Sequence, residues 1–394
     1  MQRRAIISGG SIAGLFAAVA LMRVGWYVDI YERTNIALAG RGAGIVTHDI
    51  LIDALKLVGA DMVDLGVQVN DRIAFDKNGV QVKILPYQQV VTSWDRIYQI
   101  LRRLIPDDQY HLRSHITGYE QDADQVTALF ADGSYQKGDL LVGCDGFRSA
   151  IRGQMLPEVS PKYAGYVVWR ALANEQDLSL SLKKDIFSTF SFYLPSGTQV
   201  IGYPIAGPNN DIRPGHRRYN FVWYAPTLPE VLKNMLTDER GEYHPISIPP
   251  PLIAPRIIEE MLIQAEATLP RPFFDILTSS ERPFFTPIYD HHSSIMHSGR
   301  VALAGDSACV ARPHVGMGVT KAAQDALTLA RHAQINQTID LQPYSDERVP
   351  LSLKAHILAQ KLGSWLFDCD PSNFDGSRHT HLDEIMALTA VTVT

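Results

Sequence analysis

The sequence predicts an α/β fold in which an N-terminal α/β domain is combined with a β-sheet domain and followed by C-terminal helices. Its 394 residues exceed what one ordinary hydrophobic core holds, so two domains that share an interface are expected. The first 31 residues follow a strand, helix, strand pattern. Residues 161–287 are rich in β-formers and aromatic clusters, and the chain from Tyr344 onward has a helical pattern.

Composition and charge exclude several classes of protein. With 46% hydrophobic and 20% charged residues, the chain has the composition of a globular protein. Its formal net charge of −6 offers no basic surface for nucleic acid or for an anionic membrane. An apolar run that ends at Val24 imitates a membrane span, but the Ser-Gly-Gly-Ser sequence at residues 8–11 interrupts it. We therefore expect a cytoplasmic protein without a nucleic-acid or membrane partner.

The cysteines and histidines do not form a recognisable metal motif. Cys144, Cys309 and Cys369 are far apart and odd in number, so we expect buried thiols in a reducing compartment. The neighbouring His291 and His292 lack a further ligand cluster at metal-binding spacing. The sequence therefore predicts that no metal is bound.

The N-terminal segment predicts the first βαβ unit of a Rossmann-like dinucleotide-binding domain. Residues 5–8 form a predicted strand, residues 9–14 a glycine-rich turn and residues 15–24 a helix. A second strand over residues 28–31 leads directly to Glu32. A glycine pattern alone is weak evidence for dinucleotide binding. Its combination with a preceding strand, a following helix and a later acidic residue is more specific.

The residue types in this turn suit a pyrophosphate ligand. Gly9 permits the tight turn, and Gly14 allows the helix to pack closely on the strand. Ser11 takes the place of the second glycine and can donate its hydroxyl to phosphate. The helix start adds free N–H groups and a positive dipole end. Glu32, eighteen residues after Gly14, is suited to bind the hydroxyls of an adenosine ribose.

Two later segments repeat the pattern of a buried strand followed by an acidic residue. The strand at residues 139–144 leads to Asp145, and the strand at residues 300–304 leads to Asp306. In open α/β sheets, ligands bind outside the carboxyl ends of the strands. We therefore expect Asp306 to accept hydrogen bonds from the ribityl hydroxyls of a flavin. The glycines at residues 316–318 precede a predicted helix and would direct backbone donors at the flavin ring.

Taken together, the three motifs resemble those of the class A FAD monooxygenases, the para-hydroxybenzoate hydroxylase superfamily. That family carries a glycine fingerprint, a mid-chain Asp-Gly motif and a later Gly-Asp motif, here at residues 9–14, 145–146 and 305–306. The resemblance covers essentially the whole chain. Strings that resemble the hydroxypyridine hydroxylases within this family occur at residues 42–46, 92–98, 163–170, 203–207, 220–224 and 312–314.

The resemblance implies an FAD site built from residues spread along the chain. It assigns the pyrophosphate to Gly9, Ser11, Ile12, Ala13 and Gly14, and the adenosine to Glu32 and Arg33. It assigns the flavin ring to Gly44, Ile45 and Val46, and a backbone contact with adenine to Ile116. Asp145, Asp306, Gly316, Met317, Gly318 and Val319 complete the implied site. A solvated surface charge remains the alternative for Arg33, and also for Arg152 near the helix start that follows Asp145.

Two positions depart from the family pattern. Many members have a histidine where this chain has Cys309. Many also have an arginine that contacts the flavin where this chain has Trp94, and Arg96 lies two residues further on. Both departures indicate a subgroup with its own flavin surroundings.

The reaction that the resemblance implies is a single-component aromatic hydroxylation. NADH or NADPH reduces the FAD, oxygen adds to the flavin, and the resulting C4a-hydroperoxide transfers one oxygen atom to a small, electron-rich ring. A hydroxypyridine or a phenol is the implied substrate class. The protein must hold the ring, favour its deprotonated form and exclude water, and a histidine with a pKa near neutrality is the expected base.

Four side chains are candidates for these tasks. His48 follows the segment expected beside the flavin, and His314 precedes the glycines at residues 316–318. Either one is expected to orient or deprotonate the substrate, or to be a buried histidine satisfied by backbone groups. Tyr203 and Tyr224 lie on predicted strands and would either bind a ring hydroxyl or pack in the core. Trp169 and Trp223 are expected in the core.

The predicted domain boundaries follow from these motifs. Residues 1–66, 86–160 and 288–343 form the FAD-binding domain, residues 67–85 and 161–287 the substrate domain, and residues 344–394 the C-terminal helices and tail. A homodimer is compatible with this organisation. A flavin-dependent reductase and a non-enzymatic carrier on the same fold remain alternatives, since neither requires a different first domain.

Overall fold

The computed structural model describes residues 2–36, 38, 44–334, 339–367 and 378–391, without the side chains of residues 378–381. Its strands are Arg4–Ser8 (β1), Tyr27–Tyr31 (β2), Gly44–Val46 (β3), Val67–Phe75 (β4), Gln81–Ser93 (β5), Tyr110–His111 (β6), Ile116–Gln121 (β7), Val126–Phe130 (β8), Tyr135–Gly138 (β9), Leu140–Gly143 (β10), Lys162–Asn174 (β11), Phe190–Tyr193 (β12), Gln199–Ile205 (β13), Arg218–Pro226 (β14), Phe284–His292 (β15), His297–Ser298 (β16), Val301–Leu303 (β17) and Cys309–Val310 (β18).

Helices connect and cover these strands. They are Ile12–Arg23 (α1), Asp49–Leu57 (α2), Trp94–Arg102 (α3), Ala150–Met155 (α4), Leu180–Leu182 (α5), Pro229–Met235 (α6), Pro255–Thr268 (α7), Arg271–Thr278 (α8), Gly318–His332 (α9), Gln342–Ser364 (α10) and Arg378–Leu388 (α11). None of the described helices is both long enough and apolar enough to cross a membrane.

The first sheet has the order β16-β17-β10-β1-β2-β6, and all of its strands except β16 run parallel. Ala5 of β1 is in register with Leu140 of β10 on one side and with Val28 of β2 on the other. The sheet interior is fully buried because helices cover it, as is typical of parallel sheets. The predicted βαβ unit is therefore confirmed, with its helix ending at Arg23.

The second sheet has nine strands in the order β18-β15-β11-β14-β13-β12-β4-β5-β3 and is mostly antiparallel. The predicted hairpin at residues 67–85 is present, and Gly79 in its turn has a φ of +79°. However, β5 continues past residue 85 to Ser93, because residues 91–93 pair with β3. Residues 91–93 and their partner strand β3 thus belong to the same sheet as the strands of the predicted substrate domain.

Strand alternation gives the second sheet two different faces. One face carries Val167, Trp169 and Trp223 and packs with residues of α6, α7 and α8, so both tryptophans lie in the core as expected. The opposite face carries Tyr166 and Tyr224 and belongs to a separate cluster. This second face is turned towards the loops that follow β17 and precede α9, which carry Asp306 and Gly316.

The described cysteines are buried thiols. Cys144 is 4% exposed at the end of β10, and Cys309 is fully buried in β18. Burial raises the pKa of both thiols. Cys369 lies outside the described residues.

A buried ion network fixes the loop that contains Gly305 and Asp306. Asp325 of α9 is fully buried and accepts a hydrogen bond from the backbone N–H of Gly305 at 2.9 Å. It also contacts Lys321 Nζ at 3.4 Å and accepts from Arg348 Nε of α10 at 2.8 Å. Burial alone would raise the pKa of Asp325, but the two cations lower it below its ordinary value. The carboxylate therefore remains charged at neutral pH.

We predict that Asp325→Asn lowers the free energy of unfolding by about 3–5 kcal/mol, because it leaves Lys321 and Arg348 buried without a countercharge. Urea unfolding measures this change. Asp53→Asn is the matched control, since its pair with Lys56 is exposed and contributes little. Equal midpoint shifts in the two variants would contradict a structural role for the network.

Candidate cofactor and substrate site

A first cavity of about 400 Å³ lies beyond the carboxyl ends of β1, β2 and β10. Its volume and position suit the adenosine and pyrophosphate parts of a dinucleotide. The cavity wall includes these residues of the implied FAD site: Gly9, Ser11, Glu32, Arg33, Ile116 and Asp145. Arg33 is exposed at this wall, so its charge is hydrated as well as close to the cavity.

The glycine turn allows a closer backbone approach than any side chain would permit. Gly9 has a φ of +104°, and a Cβ there would lie 2.4 Å from the carbonyl oxygen of Cys144. A Cβ on Gly14 would lie 1.9 Å from the carbonyl oxygen of Gly9. The side chain of Ser11 makes no capping hydrogen bond to α1, so its hydroxyl is available to a ligand. This cradle fits a pyrophosphate at the helix start.

Ile12 and Ala13 contribute to the turn differently from the residues of the cavity wall. Ile12 is 3% exposed and packs in the hydrophobic core around the first sheet. Ala13 limits how closely the loop that contains Gly305 can approach. A Cβ added to Gly305 would lie 2.6 Å from the Cβ of Ala13. The N–H groups of both residues are among those at a helix start that have no intrahelical acceptor.

Glu32 is held in place by backbone donors. Its carboxylate accepts from Gly10 N at 2.8 Å and from Thr34 N at 3.0 Å. These bonds fix the carboxylate at the end of β2 while leaving lone pairs for ribose hydroxyls.

Asp145 is enclosed near the start of α4. Its Oδ2 accepts from Ala150 N at 2.8 Å, and its buried Oδ1 has no hydrogen-bond partner within the described part of the chain. Burial raises the pKa of this carboxyl, although the hydrogen bonds oppose the shift. Oδ1 is thus an acceptor that a bound hydroxyl would satisfy.

Arg152 ties the second motif loop to the third. It donates to the Phe147 carbonyl at 2.6 Å, to the Ser307 carbonyl at 3.1 Å and to His291 Nε2 at 2.9 Å. Ser307 also donates its hydroxyl to the carbonyl of Gly143. The loops that follow β10 and β17 are therefore locked side by side. Sequence reasoning left Arg152 with an open role, which these contacts now define.

A second, larger cavity of about 1010 Å³ lies between the two sheets, and Trp94 lines both cavities. The indole therefore occupies the boundary between them. The wall of the larger cavity includes the following predicted site residues: Gly44, Ile45, Val46, Tyr203, Tyr224, Asp306, His314, Gly316, Met317, Gly318 and Val319. Residues 42–43 of the string at 42–46 lie outside the described residues.

The two departures from the family pattern are visible in the structure. Trp94 occupies the boundary between the cavities, whereas Arg96 is 8% exposed and donates to the carbonyl of Val63. Arg96 therefore anchors a surface loop and lines neither cavity. Cys309 Sγ contacts the Ser352 carbonyl of α10 at 3.7 Å, so it too faces away from the cavity.

The side chain of Asp306 opens into the larger cavity. The surrounding protein raises the pKa of its carboxyl by burial, while Lys321 acts in the opposite direction. An acceptor at this point of the loop suits the chain of hydroxyls that joins a flavin ring to its phosphates. With the glycine cradle and Asp145, it completes a set of donors and acceptors that fits FAD.

His314 lines the larger cavity and is 1% exposed. Its Nε2 is 2.8 Å from the hydroxyl of Tyr166, and its ring lies 4.3 Å from that of Tyr224 between centroids. Within the described residues its Nδ1 has no partner. Burial, with a smaller effect of Arg312, lowers the pKa of His314 to about 3. The imidazole is therefore neutral at pH 7, unlike the base with a pKa near neutrality that we expected.

The expectation for His48 requires a correction. His48 lines neither cavity and instead lies behind the wall, with its Nδ1 2.8 Å from Thr320 Oγ1 of α9. Burial, with a smaller effect of Arg72, lowers the pKa of His48 to about 4. A Cβ on Gly316 would lie 3.8 Å from its ring. His48 is thus a neutral histidine that supports the start of α9.

Tyr203 and Tyr224 both line the larger cavity. Burial raises the pKa of Tyr203 to about 12 and raises that of Tyr224 further, while the charge of Arg170 opposes both shifts. Both phenols are therefore protonated at neutral pH and can donate hydrogen bonds. Arg170 was missed as a site residue, although its alternation with Tyr166 and Val168 on one strand could have revealed its direction.

The C-terminal segment closes one side of the larger cavity through Thr389 and Ala390. The fully buried Arg72 of β4 holds this segment by donating to the carbonyls of Met386, Thr389 and Ala390. Ala390 N donates in turn to the carbonyl of His314 at 3.0 Å. No local sequence pattern predicts this wall, because Arg72 and Ala390 are 318 positions apart.

We predict that Gly14→Ala abolishes flavin binding, since its Cβ would overlap the Gly9 carbonyl oxygen. The measurement is the ratio of FAD absorbance to protein after purification. Gly153→Ala in α4 is the matched control, because a Cβ there meets open space. A Gly14→Ala protein with a full complement of FAD would refute the proposed cradle.

Comparisons with known proteins agree with the fold and with an FAD cofactor. The sequence profile described as FAD binding domain-like matches residues 163–290. The 2,6-dihydroxypyridine 3-monooxygenase of Paenarthrobacter nicotinovorans is 34% identical over 333 residues, which cover 83% of this chain and 82% of that protein. The aurachin C monooxygenase/isomerase of Stigmatella aurantiaca is 27% identical, covering 83% and 79%.

Solved structures have the same architecture. The 2,6-dihydroxypyridine-3-hydroxylase from Arthrobacter nicotinovorans superposes with a TM-score of 0.88 at 30% identity, covering 95% of each chain. Klebsiella pneumoniae HpxO, solved with FAD and uric acid, superposes with a TM-score of 0.79 at 23% identity, covering 98% of this chain and 93% of that one. The chain therefore belongs to the class A FAD-dependent monooxygenases, the para-hydroxybenzoate hydroxylase superfamily.

Proposed function

We propose that this monooxygenase uses NADH or NADPH and oxygen to hydroxylate a small, electron-rich aromatic ring of the hydroxypyridine or phenol type. The observation that carries the proposal is the larger cavity, which adjoins the cofactor cavity at Trp94 and combines aromatic walls with a few polar groups. When bound, FAD supplies the electron transfer and oxygen activation that no protein side chain provides. The likeness to a dihydroxypyridine monooxygenase supports the choice of ring.

The chain's own residues would first position the ring and keep water away from it. Phe190, Ile201, Val222 and Phe284 provide apolar surface around the larger cavity. An apolar, enclosed wall excludes the water that would discharge a reactive oxygen species. The few polar groups then decide the orientation of the ring.

His314 is the residue best placed to contact a ring hydroxyl. Its hydrogen bond with Tyr166 fixes the imidazole, and the neighbouring Tyr224 ring holds it on one face. The Nδ1 is buried and has no partner within the described residues, so it is the nitrogen that would bind a ring hydroxyl, as donor or acceptor according to the tautomer. Because the imidazole is neutral and its pKa is low, it would orient a ring hydroxyl through a hydrogen bond rather than take its proton.

The test of the function is the oxidation of NADH and of NADPH by the FAD-loaded protein, with and without a panel of hydroxypyridines and phenols. We expect at least one ring to raise the oxidation rate and to give a hydroxylated product rather than hydrogen peroxide. A firmly bound FAD with no response to any ring would overturn the proposal and favour a reductase or a carrier.

We further predict that His314→Gln lowers the hydroxylated product formed per NAD(P)H by about 10-fold or more, because a misplaced reacting group can cost about 10²-fold in rate. Oxygen consumption and product are measured together. His216→Gln, at an exposed position in the same domain, is the control and should retain wild-type coupling.

The same assay gives a pH dependence. Since burial lowers the pKa of His314 to about 3, the imidazole stays neutral and should contribute no acid limb to the rate between pH 5 and 7. His314→Gln should therefore shift the rate without changing the shape of that part of the profile. An acid limb with a pKa near 6.5 that disappears in His314→Gln would contradict the neutral role.

A further inference from the structure

Arg170 brings a positive charge into the larger cavity. It lies on β11, where it pairs with Val222 of β14 on one side and with Phe284 of β15 on the other. All three residues line the cavity, together with Tyr203 and Tyr224. A central strand thus presents a guanidinium to an otherwise largely apolar space.

Within the described part of the chain, this guanidinium has neither a hydrogen-bond nor an ion-pair partner, in contrast to its neighbours. Arg312, which lines the same cavity, contacts Asp290 at 2.6 Å. The buried Arg72 is satisfied by backbone carbonyls. Asp306 also lines the cavity, but the charges that act on it are those of Lys321 and Asp325. Arg170 is half-buried, and a cation that faces a largely apolar cavity is stabilised by a ligand that supplies the countercharge.

The two phenols mark where such a ligand would lie. Arg170, Tyr203 and Tyr224 line the same cavity, and the charge of Arg170 opposes the rise in the pKa of both phenols. Within the described residues neither hydroxyl has a hydrogen-bond partner. One cation and two neutral donors, converging in an aromatic cavity, match an anionic oxygen on a planar ring.

We propose that Arg170 determines substrate specificity by binding an anionic oxygen of the aromatic ring, either a carboxylate or an ionised hydroxyl. This inference rests on the proposed function, because it concerns the substrate of the same cavity. The neutral His314 cannot supply the positive charge, so the charge that favours a deprotonated ring comes from Arg170. A nearby cation lowers the pKa of a ring hydroxyl and so favours the more electron-rich form.

The test measures binding rather than turnover, with the FAD-loaded protein and the shift in flavin absorbance or the heat of binding as readout. Benzoate and benzamide form a pair that differs in charge at nearly constant shape. A hydroxypyridine, titrated from below to above its own ionisation, probes the ring oxyanion. We expect wild type to prefer the charged member of at least one comparison by about 30-fold or more.

Arg170→Met should remove this preference because it lowers the affinity for the anionic ligand. The affinity for benzamide should change less than about threefold. Arg170→Lys retains the charge but loses the planar fork, so it should retain part of the preference. Arg271→Met, at an exposed site on α8, is the control and should leave all affinities unchanged. FAD content and the melting temperature verify that each variant is folded.

The outcomes separate the two sources of negative charge. Loss of the benzoate preference alone assigns Arg170 to a carboxylate, and loss of the hydroxypyridine preference alone assigns it to an ionised ring hydroxyl. A wild-type protein without a charge preference, or an Arg170→Met protein that retains it, overturns the inference. If Arg170→Met does not fold, an Arg170→Lys protein with the full wild-type preference and no change in any affinity overturns it as well. Charge-selective binding without hydroxylation would leave the inference standing and refute only the proposed reaction.

Discussion

The carboxyl ends of β1, β10 and β17 lie side by side, and the tie between the loops that follow β10 and β17 is the constraint on which the site depends. Ser307 and Arg152 make this tie, because both bond to backbone atoms of the opposite loop. Beneath it, Asp325 holds the Gly305 backbone from α9. Three segments that are distant in sequence thus present their polar groups at one edge of the parallel sheet.

The two sheets divide the work of the site. The parallel sheet supplies the loops that suit phosphate and sugar hydroxyls, where backbone geometry matters more than side-chain identity. The antiparallel sheet supplies a broad face of side chains, including Tyr203, Tyr224 and Arg170, where identity decides which ring is accepted. Trp94 stands between the two regions. Changes on the antiparallel sheet and in the loop that carries His314 could therefore alter the larger cavity while the glycine cradle stays intact.

How much could be predicted from the sequence depended on the range of the contacts involved. The βαβ unit and the hairpin follow from local spacing, and Trp169 and Trp223 follow from strand alternation. The direction of His48 did not follow, because its hydrogen bond reaches Thr320, which is 272 positions away. The neutral state of His314 could not be predicted either, since it results from burial by several elements at once. The positive charge of Arg170 can be read from the sequence. Its lack of a hydrogen-bond or ion-pair partner among the described residues cannot, because that depends on which distant residues surround it.

The wall formed by Thr389 and Ala390 also sets an order of events during synthesis. The C-terminal acceptors of the Arg72 guanidinium are made 314 to 318 residues after Arg72 itself. At about 5–20 residues per second, that interval lasts roughly 15–60 s. The last strand of the first sheet, β17, ends at Leu303, and from there until Thr389 and Ala390 are made the larger cavity is still open on one side. A nascent chain therefore has an open route for a bulky dinucleotide to enter before the last segment docks and narrows the entrance.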